Sequence, residues 1–242
     1  MQTLLTRWFR DESADRARAH VPRRGRVVAL FDDGAALGPW QRRGDATVRT
    51  HAALAVESEQ NGESTRAFLG AHAEDVALAV AFPACTDLSA AGARWWKKKR
   101  DRNPEFQNEA VTRIRGVEAA LRDTGAPYAM LVPAAPLLKK MMREPSAIVS
   151  PHEYGGWLAP DAPHPLFPEV VPRCDAYVKR TYVYCGNGFV LPRRRPVAPV
   201  WATRRRKGRD VRVSPLLLKR KHRHLRRIAP LGFLEAVAAS NS

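Results

Sequence analysis

Cysteine is scarce in this 242-residue chain: only Cys85, Cys174 and Cys185 occur, far apart and with no Cys-x-x-Cys. An odd, scattered count argues against a disulfide framework, and seven histidines in no ligand spacing argue against a structural zinc. A reducing cytoplasm is the expected setting. Long apolar runs are also missing. None approaches the roughly 20 residues of a membrane span. The start, Met1 to Trp8, lacks a basic stretch followed by a long apolar core, so no secretory signal is expected. Acidic residues are the third shortage: 24 stand against 41 basic ones, for a net charge of +17.

That imbalance attracts polyanions. Nucleic acid is the first expectation, ahead of an anionic membrane surface or a solubilising tail with no specific partner. Apolar residues make up 45% of the chain. At this length a sizeable core can be buried, so one large domain, or one with an appendage, is expected.

The periodicity alternates. Arg26–Phe31 reads as a buried strand, Asp32-Asp33-Gly34 as a turn, and Ala35–Arg43 as a helix closed by Gly44. A second strand falls within Ala46–Val56, a helix over Ser64–His72, and a third strand over Val76–Ala81. Asn108–Asp123 carries Val111, Ile114, Val117 and Leu121 at helical spacing, and Tyr128–Val132 is a fourth strand stopped by Pro133. Strands alternating with helices predict an α/β fold with a mostly parallel sheet and crossover helices. Further on, Tyr177–Tyr184 alternates as a strand, and the turn signal Gly186-Asn187-Gly188 predicts Phe189–Leu191 as its hairpin partner. Residues 193–227 hold fifteen Lys or Arg against one acid, Asp210. The expected organisation is an N-terminal helical extension over 1–24, an α/β domain over 25–192, and a basic, irregular C-terminal segment over 193–242 that ends in a closing helix.

The segment with most chemistry is Phe82-Pro83-Ala84-Cys85-Thr86-Asp87-Leu88-Ser89-Ala90-Ala91-Gly92, placed where the third strand ends. The ends of such strands are where open α/β sheets bind ligands. A thiolate there is a nucleophile if a helix N-terminus or a cation lowers the thiol pKa, and Arg94, Lys97, Lys98 and Lys99 lie just downstream. The plain alternative is an inert buried cysteine. Trp95-Trp96-Lys97-Lys98-Lys99-Arg100 places aromatics beside cations, which suits stacking on bases with phosphate contact; it also suits a helix with a core Trp face and a solvated Lys face.

F-P-x-C-x-x-x-S-x-A-G resembles the nucleophile loop of the DNA cytosine-C5 methyltransferases. Val28-Ala29-Leu30-Phe31-Asp32-Asp33-Gly34, about fifty residues earlier, resembles their first, Gly-rich motif. Segments around His152–Leu158, His164–Pro168, Asp175–Thr181, Gly186–Phe189 and Ala229–Phe233 look like parts of small phage-encoded members that lack a long target-recognition domain. The resemblance spans about residues 26–240. It implies a Rossmann-like fold and S-adenosylmethionine as cofactor. It implies Cys85 as the nucleophile adding to pyrimidine C6, with Pro83 and Ser89 in the catalytic loop. It implies Phe31, Asp32, Gly34, Glu57 and Phe82 at the cofactor. Leu131 aligns with the glutamate that in the family contacts the cytosine ring. Arg94, Trp95, Lys97, Lys98, Lys99, Arg180, Arg204, Arg205, Arg206, Lys219, Arg220 and Arg223 are the expected nucleic-acid contacts, and no metal is expected. Three functions remain open: a DNA pyrimidine C5 methyltransferase, a catalytically impaired nucleic-acid-binding protein on the same fold, and an enzyme using another donor or a free nucleotide.

Overall fold

Val27, Val28, Ala29 and Leu30 are all buried, and they form β1 (Arg26–Leu30), the hub of the sheet. The computed structural model describes residues 25–31, 38–39, 50–53, 62–71, 76–89, 92–206, 208–217 and 228–241. The expected N-terminal extension, and most of the helix expected over Ala35–Arg43, lie outside the described residues. The strand expected within Ala46–Val56 forms as β2 (Thr50–Ala53). β3 (Val76–Ala81) and β4 (Tyr128–Pro133) follow as near-continuous apolar runs, as strands buried on both faces require. The remaining strands of this sheet are β5 (Ala147–Val149) and β6 (Thr181–Gly186). The order is β2-β1-β3-β4-β6-β5. β2, β1, β3 and β4 run parallel, while β6 is antiparallel to both β4 and β5. The molecule is a mixed α/β protein with a mostly parallel central sheet, compatible with a Rossmann-like arrangement.

Successive strand residues point to opposite faces. Val28, Leu30, Ala79, Ala81, Met130 and Val132 face one core, with Leu69 of α1 (Gly62–Gly70), Leu138, and Val111, Ile114, Val117 and Leu121. The latter four lie on α3 (Phe106–Asp123), which follows α2 (Trp96–Arg102); Leu138 lies on α4 (Pro136–Met141). The apolar stripe read in the sequence is therefore the buried face of α3. α1 and α3 cross closely: a Cβ on Gly62 would stand 2.7 Å from the Gly116 Cα. Val27, Ala29, Leu78, Val80, Ala129, Leu131 and Val183 face the opposite core with Phe233, Leu234, Ala236, Val237 and Ala238 of α5 (Leu231–Ser240).

Three expectations are corrected. The closing helix forms as α5 but is not set apart, because its buried residues join one core with residues of β1, β3, β4 and β6. Residues 193–200 are likewise stitched to the preceding segment: Gly156 N–H donates to the Arg195 carbonyl (2.8 Å) and Val197 N–H to that of His152 (2.8 Å). Second, the strand begins at Thr181 and not Tyr177, since Tyr177 and Lys179 bond outside the sheet: the Tyr177 carbonyl accepts from His152 N–H (3.3 Å) and Lys179 N–H donates to the Ser150 hydroxyl (2.9 Å). Third, Phe189–Leu191 does not return as a strand. Both edges of β6 are taken by β4 and β5. The Asn241 carboxamide instead meets both backbone groups of Val190, accepting from its N–H (2.8 Å) and donating to its carbonyl (3.0 Å).

The basic C-terminal region is not wholly irregular either. It contains a separate two-stranded antiparallel sheet, β7 (Ala202–Arg206) and β8 (Arg209–Val213).

Candidate functional site

Chain order and sheet order diverge at β1. From there the chain goes outward to β2, then returns to the other side to build β3 and β4. The strand order thus reverses between β1 and β3, and the carboxyl ends of strands at such switch points are where doubly wound sheets bind ligands. Two sequence motifs end there. Phe31 follows β1, and the Phe82–Gly92 loop follows β3. They are joined directly, since Phe82 N–H donates to the Leu30 carbonyl (3.0 Å).

Phe31 is buried, with a left-handed backbone (φ 60°). A bulky residue held at positive φ is strained, and such strain gathers at functional turns. Its ring packs in the α1/α3 core. Phe82 packs on the α5 side of the sheet. Asp32, Gly34 and Glu57, expected at the cofactor, lie outside the described residues.

The cysteine loop is tightly built. The Cys85 carbonyl accepts from Leu88 N–H (3.0 Å) and Ser89 N–H (2.9 Å), and the Ser89 carbonyl from Gly92 N–H (2.9 Å). Gly92 has to be glycine here, because a Cβ would overlap the Thr86 carbonyl oxygen. Pro83 is buried and Ser89 is half-buried, its hydroxyl 3.5 Å from the Thr86 carbonyl. Cys85 is 8% exposed and packs with Leu88 against the α1/α3 core. Of the other thiols, burial pushes that of Cys185 up, which makes it a poor nucleophile.

Asp87, two residues after the cysteine, is the member that sequence reasoning passed over. Its carboxylate pairs with Lys99 on α2 and lies 3.8 Å from Arg113 on α3, and Gln107 donates to its carbonyl (3.1 Å). One acid thus fixes the loop against both following helices. The only signal in the sequence is an acid flanked downstream by cations.

No protein-family model, curated protein or solved structure matches this chain. The chemistry therefore rests on the residues themselves.

None of the residues of α2 is fully buried. Trp95, just before it, is 44% exposed with Arg94 over its ring (4.9 Å), and Trp96 is half-buried. Lys97 pairs with Asp101 (3.0 Å), Lys98 is exposed, and Lys99 is held by Asp87. The helix therefore stands as an exposed basic rim beside the cysteine loop. Arg180 is exposed just before β6. Arg204 and Arg205 are exposed on β7, while Arg206 is a β7 backbone position opposite Arg209. Lys219, Arg220 and Arg223 lie outside the described residues.

Leu131, aligned with the family's glutamate, is buried within β4 on the α5 side and pairs with Val183. Cys85 belongs to the opposite core, so no side chain at 131 lies on the cysteine's side of the sheet. The described residues at the carboxyl end of β4, Pro133 to Ala135, include no acid. Among the described residues, no three His, Cys, Asp or Glu side chains gather as a metal site, and no helix is long and apolar enough to cross a membrane. A second concavity of about 380 Å³ lies beside the start of α5, lined by Trp157, His164, Asp175, Leu231 and Glu235 among others.

Proposed function

We propose that the switch point between β1 and β3 is the site of an S-adenosylmethionine-dependent enzyme that modifies a pyrimidine in DNA through Cys85, on a methyltransferase-type Rossmann-like fold. One observation carries this reading. The two segments whose sequences resemble the cofactor motif and the nucleophile loop stand about fifty residues apart in the chain, yet they meet at the switch point through the Phe82–Leu30 hydrogen bond. Of the described residues, the strained turn at Phe31 suits close approach of backbone to a ligand. The cofactor supplies an electrophilic methyl group. Cys85 would supply the thiolate that adds to pyrimidine C6 once the base leaves its stack; C5 would then take the methyl group, and loss of the C5 proton to solvent would expel the thiolate and restore the ring. The setting is a cytoplasm where DNA is accessible. Nucleoside mass spectrometry on DNA from cells producing the protein tests this, the unaltered chain against Cys85→Ala. A methylated pyrimidine lost in the variant is expected; modification that persists without Cys85 would sink the reading.

A second reading is a nucleic-acid-binding protein on the same frame that no longer catalyses. It is favoured by the near-complete burial of Cys85 and the lack of an acid at the end of β4. Calorimetric titration with S-adenosylmethionine separates the two, because the second predicts no cofactor affinity.

A further inference from the structure

We propose that the β7–β8 hairpin is a duplex-binding ribbon that docks in the major groove of DNA. This shares the DNA partner with the proposed function and uses none of its chemistry.

The hairpin is exposed along both strands, from Thr203 to Arg205 and from Arg209 to Arg212. A two-stranded ribbon with neither face covered is marginal in water. Here both ends are anchored. Val200 N–H donates to the Ala176 carbonyl (2.7 Å) at the start, and Leu216, past the other end, is buried with Val171, Tyr177 and Ile228. The ribbon thus projects from a fixed base, and Gly208, between the two strands, has φ 77°. Between Arg204 and Arg212 the sequence carries five arginines and one lysine against Asp210 alone. The register sets Arg206 opposite Arg209, Arg205 opposite Asp210, and Thr203 opposite Arg212. Arg205 faces the opposite charge of Asp210, but Arg204 with Arg209, and Arg205 with Arg212, are diagonal neighbours on the two faces, where like charges repel. Among the described residues, Arg204, Arg205, Arg209 and Arg212 form no ion pair. Such an element is held together best by a polyanion.

Three features favour duplex over single strand. The major groove, about 12 Å wide, admits a two-stranded ribbon. Strands of five residues reach roughly 17 Å, about ten charge spacings along a duplex. Binding to single strands relies on aromatic platforms, and the two strands carry none; Trp201 sits at the base, outside the ladder.

Fluorescence anisotropy with a short DNA duplex, its isolated strand, and phosphatidylserine vesicles tests this on the full chain. The unaltered protein should prefer the duplex, and the combined Arg204→Ala, Arg205→Ala, Arg209→Ala and Arg212→Ala variant should flatten the log affinity against log salt slope by about 3 to 4, since each lost phosphate contact removes about 0.9. An unchanged slope, or a preference for single strand or vesicles, would overturn the proposal. In the unaltered chain, duplex should also protect these four arginines from phenylglyoxal as read by peptide mass spectrometry; absence of protection overturns it even if the variant misfolds. Cys85→Ala separates the two proposals: it should bind duplex with the unaltered slope. Product loss in Cys85→Ala with no role for the hairpin would sink this inference alone. Hairpin-dependent binding without product would sink the enzyme alone.

Discussion

Cations of the α/β unit and cations of the hairpin are treated differently. In the former, Arg66 stands 3.2 Å from Asp123, Lys97 3.0 Å from Asp101, Lys139 3.3 Å from Glu144 and Arg194 3.3 Å from Glu153, while Lys99 and Arg113 share Asp87. In the latter, four described arginines have no such carboxylate. Exposed pairs contribute little each, about 0–1 kcal/mol, so the contrast concerns placement more than stability. A solubilising charge would be scattered over the surface. Among the described residues, the hairpin gathers four such arginines on one element and α2 gathers Lys98, Arg100 and Arg102, while exposed Arg115, Arg122, Lys140 and Arg193 lie apart from one another elsewhere. The hairpin cluster suits a polyanion.

The largest expected effect comes from the paired side. Glu118 is buried, and its Oε1 accepts from Arg143 Nη2 (2.8 Å) and Nε (2.9 Å) and from the Tyr128 hydroxyl (3.3 Å). Arg143 also donates to the Cys185 carbonyl (2.9 Å), tying α3 to β6. Burial opposes the charge of Arg143, yet Glu118 beside it holds the guanidinium pKa above its ordinary value. Burial, reinforced by Glu118, pushes the Tyr128 hydroxyl up as well. Arg143→Ala leaves a buried carboxylate without its cation and, because water reaches the 41%-exposed Arg143, should cost about 3 kcal/mol in urea unfolding, the low end for buried pairs. A loss below about 1 kcal/mol, the range of exposed pairs, would break the comparison from the paired side.

The elements legible in the sequence were those where burial wrote a clear period. β1, β3 and β4 are apolar runs covered on both faces, and α3 shows its stripe at Val111, Ile114, Val117 and Leu121. The cysteine loop was legible because its spacing is also a structural demand: Gly92 is the only residue type that fits against Thr86. The hairpin was not, because arginines occupy both faces of both strands and erase the alternation that marks a half-buried strand. The false hairpin partner at Phe189–Leu191 had the right turn, with Asn187 at φ 54° and Gly188 at φ 78°. What no local pattern shows is that Asn241, some fifty residues on, takes the hydrogen bonds a strand would have taken. Leu131 shows the same limit, since alignment gave its order in the chain but not the face of β4 on which it lies.

A mid-sized effect probes an acid of the α/β unit that is held chiefly by peptide groups. Asp175 is 2% exposed, and its Oδ2 accepts from Gly232 N–H (2.9 Å) at the start of α5. Burial raises its pKa from 3.8 to about 6, against the pull of the Gly232 and Leu231 amides and of Lys179. A raised folded value favours the neutral form. Its contribution to stability is full below about pH 4, is lost as pH climbs to about 6, and stays lost above. Asn tolerates the left-handed backbone at this position (φ 49°). The stability of Asp175→Asn relative to the unaltered chain should therefore be more favourable near pH 7 than near pH 4 by roughly 2 kcal/mol. A difference independent of pH would show that the carboxylate is not desolvated as its burial implies.

The smallest expected effect is the sharpest test of the contrast. If the hairpin arginines serve a partner and not the fold, replacing Arg204, Arg205, Arg209 and Arg212 with alanine removes no intramolecular contact that stabilises the monomer. It also relieves repulsion along the ladder. Stability without DNA should then change by no more than about 0.5 kcal/mol, the usual range for exposed positions free of special features. Added duplex should raise the unfolding midpoint of the unaltered chain and leave that of the variant nearly unmoved, because a ligand that binds the folded state stabilises it in proportion to occupancy. A large loss of stability without DNA would mean that these arginines have intramolecular partners outside the described residues, and the two sets of cations would then be one.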